Sequence, residues 1–399
     1  MTRIVFLSIF FIVLCQNVEV HSLQLKQVLI LSRHNVRSPL TSNLDKFSPK
    51  PWPKWDVEAG ELTKKGIKLE NGMGEYFASW LADNSFFEGC PKTEEVLIYA
   101  NTKPRTVATA KAFAELAFKN CNVTVSFKQN TNLMDPKFNP IFHNTSDIFM
   151  KDVFKEMNDK LKECDLTEAY SELGRILNLN ESTICKELSL CDFNYVNNTI
   201  INEVGEEPNI EGPLSHGNAI VDTFVMSYFE GRPMEEVAWG EIKSNDQWKL
   251  LTELSRQNQN VRFNITSASK DLAGPLLNYM FEILKNNILK FTLLVGHDSN
   301  LNSVINALDF KWFELPDQYE PLPIGGKVVF QRWSDGTNDF LKVEYIYQSF
   351  ADLRNGTVPS SLNPPINVLM ELKSCNVDEN GFCPWNDFMR FFSKVSSRN

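Results

Sequence analysis

Apolar and polar positions along this chain follow two periods. Residues 28–31 form a short run of branched side chains, long enough for a buried strand and too short for a helix. The sequence then turns polar at once through Ser32, Arg33, His34, Asn35 and Arg37, and Ser38 and Pro39 break any regular continuation. Residues 291–295 repeat the order: an apolar run, Gly296, His297 and Asp298, small polar residues, and a helical pattern over 301–308. A third strand is predicted at 96–100, followed by a polar break, Arg105 and an Ala-rich helix start. Elsewhere the period is helical. Residues 62–81 mix charged and apolar positions at helical spacing, interrupted by Gly72 and Gly74, which reads as a helix packing on a sheet. Between 146 and 190, Phe149, Val153, Met157 and Leu161 recur three and four apart. Residues 214–230 form another helix, closed by Gly231 and Pro233, and 275–289 lead as a helix into the strand before His297.

Strands at both ends with helices concentrated in the middle predict an α/β fold with a helical insertion. Residues 23–139 and 276–399 would form the α/β domain and 140–275 a smaller, mainly helical one, with a ligand pocket in the cleft between them. There is no internal repeat, low-complexity tract or long linker. Residues 1–22 read as a cleavable signal peptide: Arg3, an apolar run over 4–15, and small or tolerated residues at 20–22. An uncleaved anchor is the rival reading, but the run is too short to span a bilayer and no other stretch approaches the length of one. The expected product is soluble and secreted, or periplasmic in a bacterial host.

Composition is that of a globular protein, with 43% hydrophobic and 23% charged residues. The formal charge of −10 disfavours a nucleic-acid partner, and any anion must be bound in a local cationic pocket. Cysteine usage fits secretion. Outside the leader, the close spacings Cys185/Cys191 and Cys375/Cys383 suggest two short-loop disulfides, and Cys90/Cys121 could tie the elements around Arg105. Cys164 is left as a buried free thiol. With no Cys-x-x-Cys pattern and only His34, His143, His216 and His297 beyond the leader, no metal site is expected. Glycosylation sequons at Asn122, Asn144, Asn180, Asn197, Asn264 and Asn355 are compatible with a eukaryotic secretory route.

The candidate chemistry sits at the three strand ends. Arg33 and Arg37 flank His34, and guanidinium groups donate paired hydrogen bonds to phosphate oxygens. His297 and Asp298 add a further ligand and a carboxyl group able to protonate a leaving oxygen. Arg105 lies at a helix amino end, where free N–H groups also favour an anion. The plain alternative is a basic surface loop with structural histidines. Three repeats of strand, polar break and cation weigh against it.

These residues resemble a known family. Arg-His-Asn-x-Arg-x-Pro at 33–39, Arg-Thr-x-x-Thr-Ala from Arg105 and Gly-His-Asp at 296–298 are similar to the histidine acid phosphatases of the histidine phosphatase superfamily, branch 2. The first motif normally carries Gly after its His, where this chain has Asn35. That departure, together with Trp52-Pro53-Lys54-Trp55, Met134-Asp135-Pro136, Val237-Ala238-Trp239-Gly240 and Pro323-Ile324-Gly325-Gly326, resembles the family's periplasmic glucose-1-phosphatase group, close to 3-phytases. The likeness runs from about Gln24 to Pro384.

The resemblance implies a phosphoglycerate mutase-like fold: a central mixed, mostly parallel sheet flanked by helices, with the inserted helical domain closing over it. It implies His34 as nucleophile, Asp298 as proton donor, and Arg33, Arg37, Arg105 and His297 as phosphate ligands. It also suggests the same three disulfides. No cofactor is implied, and the partner is a small phosphomonoester, with glucose 1-phosphate the first candidate and phytate the second. Glu207 matches a glutamate at the pocket mouth of the glucose-1-phosphatases, where a carboxylate would accept sugar hydroxyls and repel heavily phosphorylated ligands; its plain alternative is an exposed loop acid. Asn35 is expected to narrow the pocket beside His34. His143 and His216 are assigned structural or surface places, and Asp222 is left unassigned because it would face the site only in one helix orientation. A secreted, catalytically weak binding protein for phosphorylated sugars or inositols is the alternative function, although such relatives usually lose the residues present here as His34 and Asp298. A phosphomutase is a further option that secretion disfavours. Oligomeric state is not legible.

Overall fold

The structure is a computed structural model that describes residues 23–41, 43–129 and 133–396. The predicted signal peptide lies outside the described residues. Among the described residues, ten strands and eleven α-helices follow one another. Strand β1 (Gln24–Arg33) leads to α1 (Lys64–Asp83), β2 (Val96–Ala100), α2 (Pro104–Ala117) and β3 (Val125–Phe127). The middle of the chain is helical: α3 (Asp147–Glu163), α4 (Thr167–Leu177), α5 (Thr183–Leu188), the hairpin β4 (Thr199–Ile201) and β5 (Asn209–Glu211), α6 (Pro213–Phe229), α7 (Asn245–Phe263) and α8 (Ser269–Lys285). The chain closes through β6 (Phe291–Gly296), α9 (Asp298–Ala307), β7 (Lys327–Ser334), β8 (Asp339–Tyr347), α10 (Phe350–Asn355), β9 (Ile366–Leu369), β10 (Cys383–Pro384) and α11 (Trp385–Ser396).

The sheet has the order β10-β8-β7-β1-β6-β2-β3, with β9 also paired to β8. Strands β1, β6, β2 and β3 run parallel, β7 runs against β1, and β8 reverses again. The expected class, a mixed and mostly parallel sheet flanked by helices, is what is found. Side chains alternate across β1 as a strand's two-residue period requires. Leu29 and Leu31 join a core with α8, α9 and α11, whereas Val28 and Ile30 join one with α1 and α2. Strands covered on both faces read as continuous apolar runs, which is why residues 28–31 and 291–295 were visible in the sequence. A third apolar cluster belongs to α3, α4, α6 and α7, and it reaches the loops at the sheet's carboxyl edge through Val36, Leu44, Ile324 and Phe350.

Helix boundaries differ from expectation for physical reasons. Helix α1 is continuous through Gly72 and Gly74 and is capped by Thr63, whose hydroxyl accepts from the Gly66 N–H at 3.0 Å. Gly66 and Gly74 do not interrupt it; a Cβ on either would collide with the carbonyl of Val36 or Phe113, so these glycines bring α1 against the β1 loop and α2. Helix α9 begins at Asp298 rather than at 301, because the His297 N–H is taken by the Asn300 side chain at 2.9 Å. Helix α8 begins at Ser269, ahead of Pro275, which it accommodates internally.

Candidate active site

The β1–β6 register pairs Arg33 with Gly296, and the β6–β2 register pairs Val295 with Ala100. Three neighbouring strands therefore end at one level, and the residues just past those ends converge. Carboxyl ends of parallel strands are where open α/β sheets bind ligands. Here they open into a cavity of about 260 Å³ whose walls include Arg33, His34, Arg37, Arg105, Glu207, His297 and Asp298. All seven predicted site residues are thus brought to one cavity. His143 and His216 do not line it, and His216 packs instead against Phe47, ring centroids 5.0 Å apart.

His34 Nδ1 lies 2.9 Å from the Asn35 carbonyl oxygen. The carbonyl can only accept, so Nδ1 carries the proton and Nε2 keeps its lone pair. Burial, followed by the charges of Arg105, Arg37 and Arg33, holds the ring's pKa well below the ordinary value of 6.5. Both effects favour the neutral imidazole.

The cations differ in their partners. Arg33 donates to Glu320 Oε1 at 3.0 Å and to the Leu322 carbonyl, and its second terminal nitrogen is 3.5 Å from Asp298. Arg37 makes two parallel bonds to Asp222, each of 3.0 Å. Among the described residues Arg105 has no carboxylate within ion-pair distance; burial and the Arg37 charge push it down to about 10. The Nε atoms of Arg33, Arg37 and Arg105 are all buried without a hydrogen-bond partner. Three guanidinium groups on the wall of one cavity suit an anion with several oxygens. Burial pushes the Asp298 carboxyl up, but the guanidinium charges of Arg33 and Arg37 oppose it and the group is held below the usual carboxylate range. Its oxygens accept from Gln259 at 3.1 Å and from the Ser299 N–H at 2.9 Å. Glu207 pairs with Arg262 at 3.2 Å rather than standing as a free loop acid, and burial raises its pKa.

Asn35 does not narrow the pocket. Its side chain turns away into the protein, donating to Glu70 Oε2 at 2.9 Å and accepting from the Val36 N–H at 2.8 Å, and it is not among the cavity walls. Glu70 in turn accepts from Lys327, whose ammonium also donates to Ser32 Oγ at 3.0 Å and the Gly325 carbonyl at 3.0 Å. The expectation failed because the pocket side of the loop is filled by guanidinium groups, whereas a buried carboxylate waits behind it. Gly325, at φ +70°, leaves the room this amide needs: a Cβ there would come within 2.7 Å of Asn35 Nδ2.

Several contributors escaped sequence reading. Asp222 is the one Asp, Glu, Lys or Arg in α6, and that isolation is a readable signal. Glu320, Gln259 and Arg262 sit in a loop and on a helix with nothing local to distinguish them. Asn101, whose Nδ2 lies 2.8 Å from His297 Nε2, was passed over as part of a polar break. The expected disulfides are all present, with Cα–Cα distances of 5.4 Å for Cys90–Cys121, 4.4 Å for Cys185–Cys191 and 5.9 Å for Cys375–Cys383. Cys164 is free and half-buried, its thiol pushed up to about 11 by burial and nearby Glu253. Among the described residues no helix is long and apolar enough to cross a membrane.

Comparison with known proteins places this geometry. The profile of the histidine phosphatase superfamily (branch 2) matches residues 24–348. A glucose-1-phosphatase of Providencia rettgeri is 42% identical over 382 residues, covering 93% of this chain and 92% of the relative. Phytase AppA of Escherichia coli is 27% identical over 94% of this chain and 92% of its own length. Among solved structures, the phytase of Citrobacter braakii superposes with a TM-score of 0.85 at 25% identity, covering 94% of this chain and 98% of that one.

Proposed function

The chain belongs to branch 2 of the histidine phosphatase superfamily and is a phosphoric monoester hydrolase; from that premise we propose that it is a secreted acid phosphatase acting through phosphorylated His34 on glucose 1-phosphate, phytate, or both. The observation that carries the mechanism is His34 itself, a buried imidazole whose Nδ1 is held by the Asn35 carbonyl and which lines a cavity walled by guanidinium groups.

A phosphomonoester resists attack because its oxygens are negative, so charge must be neutralised and the reacting atoms held in line. Arg33, Arg37, Arg105 and His297 would grip the equatorial oxygens. Nε2 of His34 then forms the bond to phosphorus as the ester P–O bond breaks, and the leaving alkoxide takes its proton from Asp298. In the second half, water attacks the phosphohistidine, Asp298 as carboxylate accepts the water proton, and inorganic phosphate departs with His34 restored. In the resting site the guanidinium charges keep Asp298 ionised. A bound phosphate dianion offsets them, which raises the carboxyl pKa at the moment a proton is needed. An acidic optimum follows.

Likeness to a protein named glucose-1-phosphatase supports the sugar phosphate, and likeness to phytases supports the second substrate. Glu207 fits a leaving-group contact, since it lies on the cavity wall, fixed by Arg262. Secretion rests on the leader pattern and the three disulfides. Residues 140–275 are read as the inserted domain, supported by the apolar cluster that α3, α4, α6 and α7 share.

The test is initial-rate phosphate release from both substrates across acidic and neutral pH, with EDTA present. We expect acid-favoured, chelator-resistant turnover that disappears in His34→Ala. Turnover surviving in that variant would overturn the assignment, and the rate ratio decides between the substrates.

A further inference from the structure

Asn101 follows β2 directly and is fully buried. Its side-chain oxygen Oδ1 accepts from the Thr102 N–H at 2.7 Å, the Asp135 N–H at 3.0 Å and the Thr102 hydroxyl at 3.3 Å. An amide turned the other way would point its NH2 at two backbone donors, so these contacts settle which end is oxygen. The NH2 group must then face His297, where Nδ2 lies 2.8 Å from Nε2. That nitrogen is an acceptor. A neutral His297 consequently carries its proton on Nδ1, which lies 3.2 Å from a terminal nitrogen of Arg105, its neighbour on the cavity wall.

An imidazolium at 297 would have to point an Nε2–H at the Asn101 NH2, so the contact opposes protonation. A neutral ring cannot accept at both nitrogens, and of its two donors the Asn101 amide is pinned by three contacts, whereas the Arg105 guanidinium that donates toward Nδ1 at 3.2 Å ends a long side chain. In the Nδ1–H tautomer that guanidinium turns to share an oxygen of the phosphoryl group with the ring proton. The surrounding charges agree: Arg105 from α2 and Arg33 and Arg37 from the β1 loop face the ring, with Asp298 on α9 the opposing acid and His34 5.6 Å away between ring centroids. Burial and Arg105 hold the ring well below its ordinary pKa.

We propose that Asn101 is a positioning residue that fixes His297 as the neutral Nδ1–H tautomer, making it an uncharged donor to phosphate and sparing Asp298 an adjacent cation. The inference rests on the phosphatase mechanism above. With a neutral ring, only guanidinium charges oppose the Asp298 proton, and the substrate dianion offsets those. A cationic ring would strip that proton and confine acid catalysis to lower pH.

Asn101→Asp is the informative change, because it is isosteric and one carboxylate oxygen still accepts from Thr102 and Asp135 while the other offers His297 an acceptor. In wild type, nitrogen NMR of the resting enzyme should show His297 protonated on Nδ1 only and failing to titrate through the weakly acidic range. In the variant the ring pKa should rise by about one to three units, as for a group gaining an opposite charge. The alkaline limb of kcat should move to lower pH, and inorganic phosphate should inhibit more tightly below that ring pKa. A wild-type ring that is cationic or protonated on Nε2 would overturn the proposal, whether or not the variant folds. So would a folded variant whose ring titration and kcat profile match wild type. The NMR reading needs no turnover. Failure of the His34 mechanism would show separately, as activity surviving in His34→Ala.

Discussion

Replacing Lys327 by Met should cost far more than its distance from substrate suggests. Lys327 and Glu70 are both 0% exposed and bond at 2.8 Å, and among the described residues Asn35 is the other side-chain partner of Glu70. Removing the ammonium leaves a carboxylate in a dry interior with one amide donor, and losing one member of a buried pair costs about 3–5 kcal/mol. Against a typical stability of about 5–15 kcal/mol, that is about a fifth or more of the total. With a urea slope of about 3 kcal/mol per molar, the unfolding midpoint should fall by about 1 M or more. Lys327→Met/Glu70→Leu should regain most of that loss, because an apolar pair of similar size often replaces a buried ion pair at little cost. Activity should not return with it. Asn35 Nδ2 would still lack an acceptor, and the carbonyl that holds His34 in its tautomer belongs to Asn35. Urea midpoints and kcat at saturating substrate give both readings. A single variant within about 1 kcal/mol of wild type would refute the burial argument, and a double variant with wild-type kcat would refute the link from the ion pair to His34.

Asp298→Asn should lower kcat for alkyl phosphates by about 100- to 10,000-fold, the usual worth of a placed acid. It should change kcat far less for aryl phosphates whose leaving group needs no proton, as steady-state rates on both classes will show. Arg105→Met should raise KM for phosphate esters and weaken inhibition by inorganic phosphate while sparing the urea midpoint, because among the described residues this guanidinium has no carboxylate to abandon. Stability should depend on pH through His34 and His297, whose folded pKa values are depressed. Below about pH 6.5 the unfolded chain takes up protons that the folded rings refuse, so this stability is complete above that pH and declines as pH falls. Urea midpoints measured downward from neutrality should drop, and less steeply in His34→Ala.

What was legible in the sequence was whatever depends on neighbours along the chain. Residues 28–31 and 291–295 announce buried strands because both their faces are covered, and Arg33, His34, His297 and Asp298 stand at their ends because strands stop where the polar residues begin. The short-range disulfides could be read from spacing for the same reason. What was missed depends on folding distant segments together. Glu320 meets Arg33 across 287 positions and Glu70 meets Lys327 across 257, and no local pattern encodes either meeting. Asn35 was misjudged because its environment comes from α1 and the Gly325 turn, so whether its amide faced ligand or protein could not be read from residues 33–39.

Trapping the intermediate tests the central claim most directly. The enzyme would be mixed with glucose 1-phosphate at acidic pH, quenched into alkali where phosphohistidine survives, digested, and mapped by mass spectrometry. The account expects one phosphoryl group on the His34 peptide, formed faster than steady-state turnover and absent from His34→Ala. Turnover with no phosphorylated peptide, or with the label on another residue, would contradict it.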